Sequence, residues 1–128
     1  VFHYGNLKSA KTSIRLAQIL PGSGSKGVAI DLIESFVSGR GKGLYDALSY
    51  TWGSGERNKN VTCNGRRLAV TQTLLEALQR FRDPVNTVTL WIDQICICQE
   101  RIKERNQQVS MMGDIFTNAR KVIVWLGE

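Results

Sequence analysis

The sequence predicts an α/β domain: a mixed sheet with a parallel strand–helix–strand core flanked by helices, and β-hairpins toward the N-terminus. Three observations carry this. The run from Val88 to Cys98 is apolar on both faces, as in a strand covered by helices in a parallel sheet. An amphipathic stretch from Glu100 to Ala119 and a short apolar run from Lys121 to Leu126 follow it, the order of a βαβ unit with parallel strands. Upstream, Asn64-Gly65 sits between two short apolar segments, the strongest short-range hairpin signal.

Each element has its own signal. Thr12 to Leu20 alternates through Ile14 and Leu16 against Arg15 and Ala17, so it reads as a strand. Pro21 to Gly27 is a loop. Val28 to Phe36 alternates through Val28, Ile30 and Leu32 as the second arm of a hairpin, although Ile30, Ile33 and Val37 also fit a helical face. Gly39 to Gly43 is a second glycine-rich loop. Leu44 to Trp52 is a strand stopped by Gly53, before a polar loop from Ser54 to Asn60. Val61–Cys63 and Arg67–Val70 flank the Asn64-Gly65 turn. A helix starts near Thr71 or Thr73, where Thr73 and Glu76 have capping-box spacing; Leu74, Leu75, Leu78 and Phe81 form its apolar face, and Asp83-Pro84 ends it. The strand from Val88 runs to Cys98, the helix from Glu100 to Ala119, and the last strand closes at Gly127.

The chain has 128 residues, 42% hydrophobic and 22% charged, which suits one domain with a real core and excludes a disordered or low-complexity chain. No apolar run approaches the roughly 18 to 20 residues of a membrane helix. The N-terminus has no signal-peptide core. It also lacks Met, so the chain is expected to come from a longer protein. Cys63, Cys96 and Cys98 are too few and odd in number for a disulfide scaffold, and fit a reducing, cytoplasmic setting. The lone His3 leaves no histidine for a serine-type triad, and no metal site is expected. The net charge is +6. Ten Lys/Arg against four Asp/Glu precede residue 68, and seven of each follow, so the basic excess lies in the first half. That suits an anionic partner such as a nucleotide, but no basic stripe with interleaved aromatics supports nucleic acid.

Gly22-x-Gly24-x-x-Gly27 matches a dinucleotide fingerprint as a bare pattern, but no helix clearly follows it, and a hairpin loop is the simpler reading. Asp93 is more informative: a carboxylate closing an apolar strand, where open α/β sheets bind ligands. At 100° per residue, Ile102, Val109, Met111, Met112, Ile115, Phe116 and Ala119 share one arc of the following helix. Arg105 and Gln108 fall inside that arc and Glu104 at its edge. Arg105 should therefore face the sheet and needs a partner, Asp93 or Glu104, either as a structural lock or in a polar pocket that holds an anion. Ser49, Tyr50 and Trp52 end the neighbouring strand, where an aromatic ring serves either the core or a stacked ligand ring.

These segments together resemble the HET (heterokaryon incompatibility) domain of filamentous fungi. The resemblance rests on Tyr45-Asp-Ala-Leu-Ser-Tyr-Thr-Trp-Gly53, Leu90-Trp-Ile-Asp-Gln-Ile-Cys-Ile-Cys-Gln99, Glu104-Arg-Asn-Gln-Gln-Val109, Met112 with Ile115-Phe116 and Ala119, and Val122-Ile-Val-Trp-Leu-Gly127. Order and spacing both fit across residues 45 to 127, within one domain taken as 1 to 128. Cys98 and Glu100 depart from the Asn and Asp usual in the family. The resemblance implies an effector module that triggers cell death in fungal nonself recognition, beside other domains of a longer protein. It also implies a distant TIR-like, flavodoxin-like fold. Some TIR domains assemble as scaffolds; others cleave NAD at the nicotinamide–ribose bond. In the second case NAD is substrate, not cofactor. Asp93 or Glu104 would be the catalytic carboxylate, Arg105 and Gln108 would hold or orient the ligand, and Tyr50 or Trp52 would stack on it, with Ser49 beside them. In the first case the chain is a non-catalytic module that forms homo-oligomers.

Overall fold

A computed structural model describes residues 1–9, 12–37, 39–52 and 55–126. Gly53 and Gly127, the expected strand stops, lie outside the described residues. Strands β1 (Ser13–Ile19) and β2 (Ala29–Phe36) form the antiparallel hairpin, in register from Ser13 opposite Phe36 to Ile19 opposite Ile30. The glycine loop between them binds no helix N-terminus. Instead the Arg82 guanidinium donates to the carbonyls of Lys26 at 2.8 Å, Gly27 at 3.2 Å and Gly24 at 3.4 Å. Gly24 has φ +57°, a conformation that glycine adopts without strain.

β3 (Asp46–Tyr50) is shorter than the expected run but sits at its centre. β4 (Lys59–Cys63) and β5 (Arg66–Val70) pair antiparallel around Asn64 and Gly65, whose φ values of 50° and 79° are those of a type I′ turn. Helix α1 (Gln72–Phe81) starts two residues earlier than its capping-box spacing suggests. Its cap is Thr71, whose hydroxyl accepts from the Leu74 N–H at 3.1 Å.

The largest departure comes next. The apolar run from Val88 is strand β6 only to Ile92; Asp93–Cys96 is a single helical turn, α2. The long helix is also two. α3 spans Ile102–Ser110 and α4 spans Met112–Asn118, with Met111 between them. Two features favour the break. The Ser110 hydroxyl bonds back to the Gln107 carbonyl at 2.7 Å, and Gly113 lies in the first turn of α4. β7 (Val122–Trp125) completes the chain's sheet elements.

The seven strands form one mixed sheet in the order β5-β4-β2-β1-β6-β3-β7. β6 and β7 are parallel, as a βαβ unit requires, but β3 lies between them and pairs parallel with both. The register puts Trp91, Ala47 and Val122 on one face, and Ile92, Leu48 and Ile123 on the other. Phe116 of α4 meets Trp91 edge-on at 5.7 Å on the first face, and Phe81 of α1 meets Trp125 at 5.6 Å on the second. Helices therefore cover both faces, which is why β1 and β6 are buried along both sides. The cover thins at β7, where Val122 and Val124 on the first face stay exposed, with Leu126 beyond them. Among the described residues no helix is long and apolar enough to cross a membrane.

Candidate functional site

β6, β3 and β7 run parallel, so their C-terminal ends open on one edge of the sheet, the edge where α/β sheets bind ligands. β3 delivers Tyr50 and, two residues on, Trp52 to this edge; β6 delivers Asp93, the first residue of α2. The Trp52 indole Nε1 donates to Asp93 Oδ1 at 3.1 Å. Asp93 is half-buried. Burial pushes its carboxyl above the ordinary carboxylate range; the Trp52 bond, the Gln94 backbone N–H and the charge of Arg57 pull it back only in part. The Arg57 guanidinium lies 5.6 Å over the Trp52 ring and donates from Nη2 to the Gln94 carbonyl at 3.2 Å. Tyr50 accepts from Gln94 Nε2 at 2.8 Å, and burial with the nearby Asp93 charge raises its phenol. Gln94, fully buried, also donates to the Thr71 hydroxyl and accepts from the Thr71 N–H, both at 3.0 Å, which bolts α2 to the start of α1.

A four-residue helix leaves all its carbonyls without intrahelical partners. In α2 each is taken by a different side chain. Gln99 Nε2 donates to Asp93 O at 2.8 Å, Arg57 to Gln94 O, the Tyr4 hydroxyl to Ile95 O at 2.7 Å, and Arg15 Nη1 to Cys96 O at 3.2 Å. Two of the four donors are cations, the favoured charge at a helix C-terminus. The turn that carries Asp93 is thus held by nearby Gln99 and by three residues from distant parts of the chain.

Glu104 stands in a second network. Both its oxygens accept from Arg15, at 2.7 and 2.8 Å, and Oε2 also accepts from the Cys98 N–H at 2.9 Å. The two side chains are 7% and 10% exposed, so this is a buried bidentate pair. The expected inward-facing cation of α3 is therefore corrected. The buried guanidinium comes from β1, as Arg15. Arg105 is half-exposed and pairs with neither Asp93 nor Glu104 among the described residues. Ile102 and Val109, expected on the same inner arc, are also exposed. The arc assumed one straight helix, whereas the break at Met111 lets α3 turn only its Gln108 side inward. Gln108 is fully buried and donates to the Ser13 carbonyl of β1 at 2.9 Å.

Of the residues singled out in the sequence, Tyr50, Trp52 and Asp93 converge. Glu104 and Gln108 bond to β1 instead, Arg105 is half-exposed and joins neither carboxylate, and Ser49 lies on the sheet face opposite Tyr50. Arg57 and Gln94 join the corner unannounced. Gln94 stands inside the apolar segment that reads as strand, and Arg57 in a polar loop without a distinguishing pattern. All three cysteines are free and buried; burial pushes the Cys63 and Cys96 thiols up to about 12, as for inert core groups. Among the described residues no three His, Cys, Asp or Glu side chains gather as metal ligands.

This is an α/β domain with a carboxylate, an indole and a guanidinium gathered at the C-terminal edge of its parallel strands. The chain belongs to the heterokaryon incompatibility (HET) protein family, whose sequence model matches residues 45–128. It is 38% identical over 96 residues to heterokaryon incompatibility protein 6, OR allele, of Neurospora crassa. That alignment covers 65% of this chain and 14% of the relative, so the chain spans only a small part of the length of that protein. No solved structure matches the chain. The family match contains the whole Asp93 corner, including Arg57 and Gln94, while Arg15 and Tyr4 lie before it.

Proposed function

We propose that this chain is the HET module of a longer fungal protein, acting in the cytoplasm in heterokaryon incompatibility as an effector of cell death, through TIR-like hydrolysis of NAD at the Asp93 corner. The observation that supports this most is the half-buried Asp93 carboxylate beneath Trp52 and Arg57, at the C-terminal end of a central parallel strand. In the proposed step water adds to the ribose C1′ as the bond to nicotinamide breaks. Nicotinamide leaves as a neutral ring, so no general acid is needed; ADP-ribose and one proton are the other products. Asp93 stabilises the oxocarbenium-like transition state and takes the water's proton, for which a raised pKa makes it the stronger base. Trp52 or Tyr50 stacks on a ring of the substrate. Arg57 takes the anion-holding place that the sequence assigned to Arg105. Glu104, with both oxygens bonded, is a positioning residue that fixes Arg15 and the start of α3.

A second reading is favoured by a different observation. Val122 and Val124 are 46% and 64% exposed on an edge strand, with Leu126 at 91% beyond it. An apolar strip on a sheet edge suits a non-catalytic module that signals by self-assembly. Expression of the chain in a filamentous fungus, scored for cell death, separates the two. The hydrolase reading predicts killing by the parent, loss with Asp93→Asn and no change with Val124→Asp, at equal protein abundance. Killing by Asp93→Asn that disappears in Val124→Asp would overturn it in favour of assembly.

A further inference from the structure

Four arginines of the described residues differ in what holds them. Arg15 and Arg120 are each gripped by a carboxylate, Glu104 and Asp46, with two hydrogen bonds apiece. Arg57 and Arg101 are held by neutral acceptors. Arg57 donates to the Gln94 carbonyl; Arg101 donates to the carbonyls of Tyr4 at 2.6 Å and Gly5 at 2.9 Å and to Asn6 Oδ1 at 3.0 Å. The carboxylate nearest Arg101 is Glu104, 4.0 Å away and already committed to Arg15. Arg57 forms no ion pair among the described residues. Carbonyl oxygens fix where a guanidinium sits without cancelling its charge. Asp93 lies near enough to Arg57 to feel its charge and Glu104 near Arg101, but neither carboxylate is hydrogen-bonded to that guanidinium, so both cations keep donor capacity for an anion beside an open cleft.

Arg57 and Arg101 line the same cleft. It measures about 360 Å³, and its other walls are the N-terminal segment through Tyr4, Leu68 and Ala69 of β5, and the turn from Cys98 to Glu100 that leads into α3. Glu100 is the one carboxylate among the cleft's described walls, and His3 is there as well. α3 begins at Ile102 with no side-chain cap, so its first N–H groups add to the positive field at that end.

We propose that this cleft binds a diphosphate group, free or carried by a nucleotide, between Arg57 and Arg101. Arg57 also covers the Trp52 ring, so a nucleotide with its diphosphate in the cleft would reach the Asp93 corner through the shared guanidinium. The proposal rests on the hydrolase reading only for that last step; diphosphate binding stands without it.

The test is calorimetric titration of the chain with inorganic pyrophosphate and, separately, with ADP, at low salt. Saturable binding of one equivalent is expected for both, and tighter binding of ADP would show that the nucleoside half is also read. Ala69→Glu places a like charge in the cleft without touching either arginine, and should weaken pyrophosphate binding about tenfold or more. Arg57→Gln should do the same, with circular dichroism confirming the fold of both variants. Lys59→Gln, in β4 and outside the cleft walls, should bind as the parent does. Asp93→Asn should keep pyrophosphate binding while losing nicotinamide release. No binding of either probe by the folded parent, or equal binding by parent, Ala69→Glu and Arg57→Gln, overturns the proposal. Nicotinamide release without pyrophosphate binding would overturn the cleft and spare the corner.

Discussion

Arg15 and Arg105 test the account at the scale of single residues. The Arg15–Glu104 pair is buried and bidentate, so Arg15→Ala leaves a carboxylate without its partner in the interior and should cost about 3–5 kcal/mol in urea unfolding. Arg105→Ala, at a half-exposed position of α3 with no ion pair among the described residues, should stay within about 0.5 kcal/mol. The reverse ranking would restore the inward-facing arginine that periodicity alone predicts. Asp93 and Glu104 also respond oppositely to pH. Burial raises the Asp93 pKa, so the native state binds that proton more tightly than the unfolded chain, and stability falls as pH rises from the ordinary carboxylate value through the raised one. Asp93→Asn should therefore unfold at higher urea than the parent at neutral pH, with the gap closing in mild acid. For Glu104 the pKa is lowered by its bonds to Arg15 and Cys98, against its burial. Its contribution is present above the ordinary glutamate value and is lost as pH falls through the lowered one. Glu104→Gln should be less stable than the parent at neutral pH and converge with it in acid.

At the scale of elements, local signals and distant partners divide the work. The Asn64-Gly65 hairpin, the β1–β2 hairpin and the apolar face of α1 were all legible, because turn chemistry and periodicity are written in adjacent residues. The cap of α1 was legible only to within two residues. Thr71→Ala removes both the bond to the Leu74 N–H and an acceptor for buried Gln94, and should cost about 1–2 kcal/mol. Thr73→Ala should be near neutral in the same unfolding assay; a cost at Thr73 instead would reinstate the capping box there. α2 was not legible. Its four carbonyls are satisfied by Tyr4, Arg15, Arg57 and Gln99, and a sequence window around Asp93 contains only the last of these. Without them the apolar run reads as strand to Cys98. The same blindness hid Arg57 from the candidate site and placed Arg105 in it. The segment motifs locate Trp52 and Asp93, but the cation beside them comes from a loop whose position depends on the whole sheet.

At the scale of the molecule, the mixed sheet explains why the polar corner lies where it does. β1 runs antiparallel to β6, and β3 and β7 parallel to it, so the C-terminal ends of three strands gather on one edge. Helices on both faces bury the middle of the sheet and leave Val122 and Val124 of β7 open. Under the hydrolase reading this strip is not required for turnover, so Val124→Asp should leave the specific rate of a dilute sample unchanged while lowering any self-association seen by sedimentation. The most direct measurement is nicotinamide release from NAD by the purified chain, with Asp93→Asn and Glu104→Gln alongside and each fold confirmed by circular dichroism. The account predicts release by the parent, none by Asp93→Asn, and retained release by whatever fraction of Glu104→Gln is folded. A folded parent that releases no nicotinamide, or an Asp93→Asn variant that releases it at the parental rate, would contradict the assignment of Asp93 as the catalytic carboxylate.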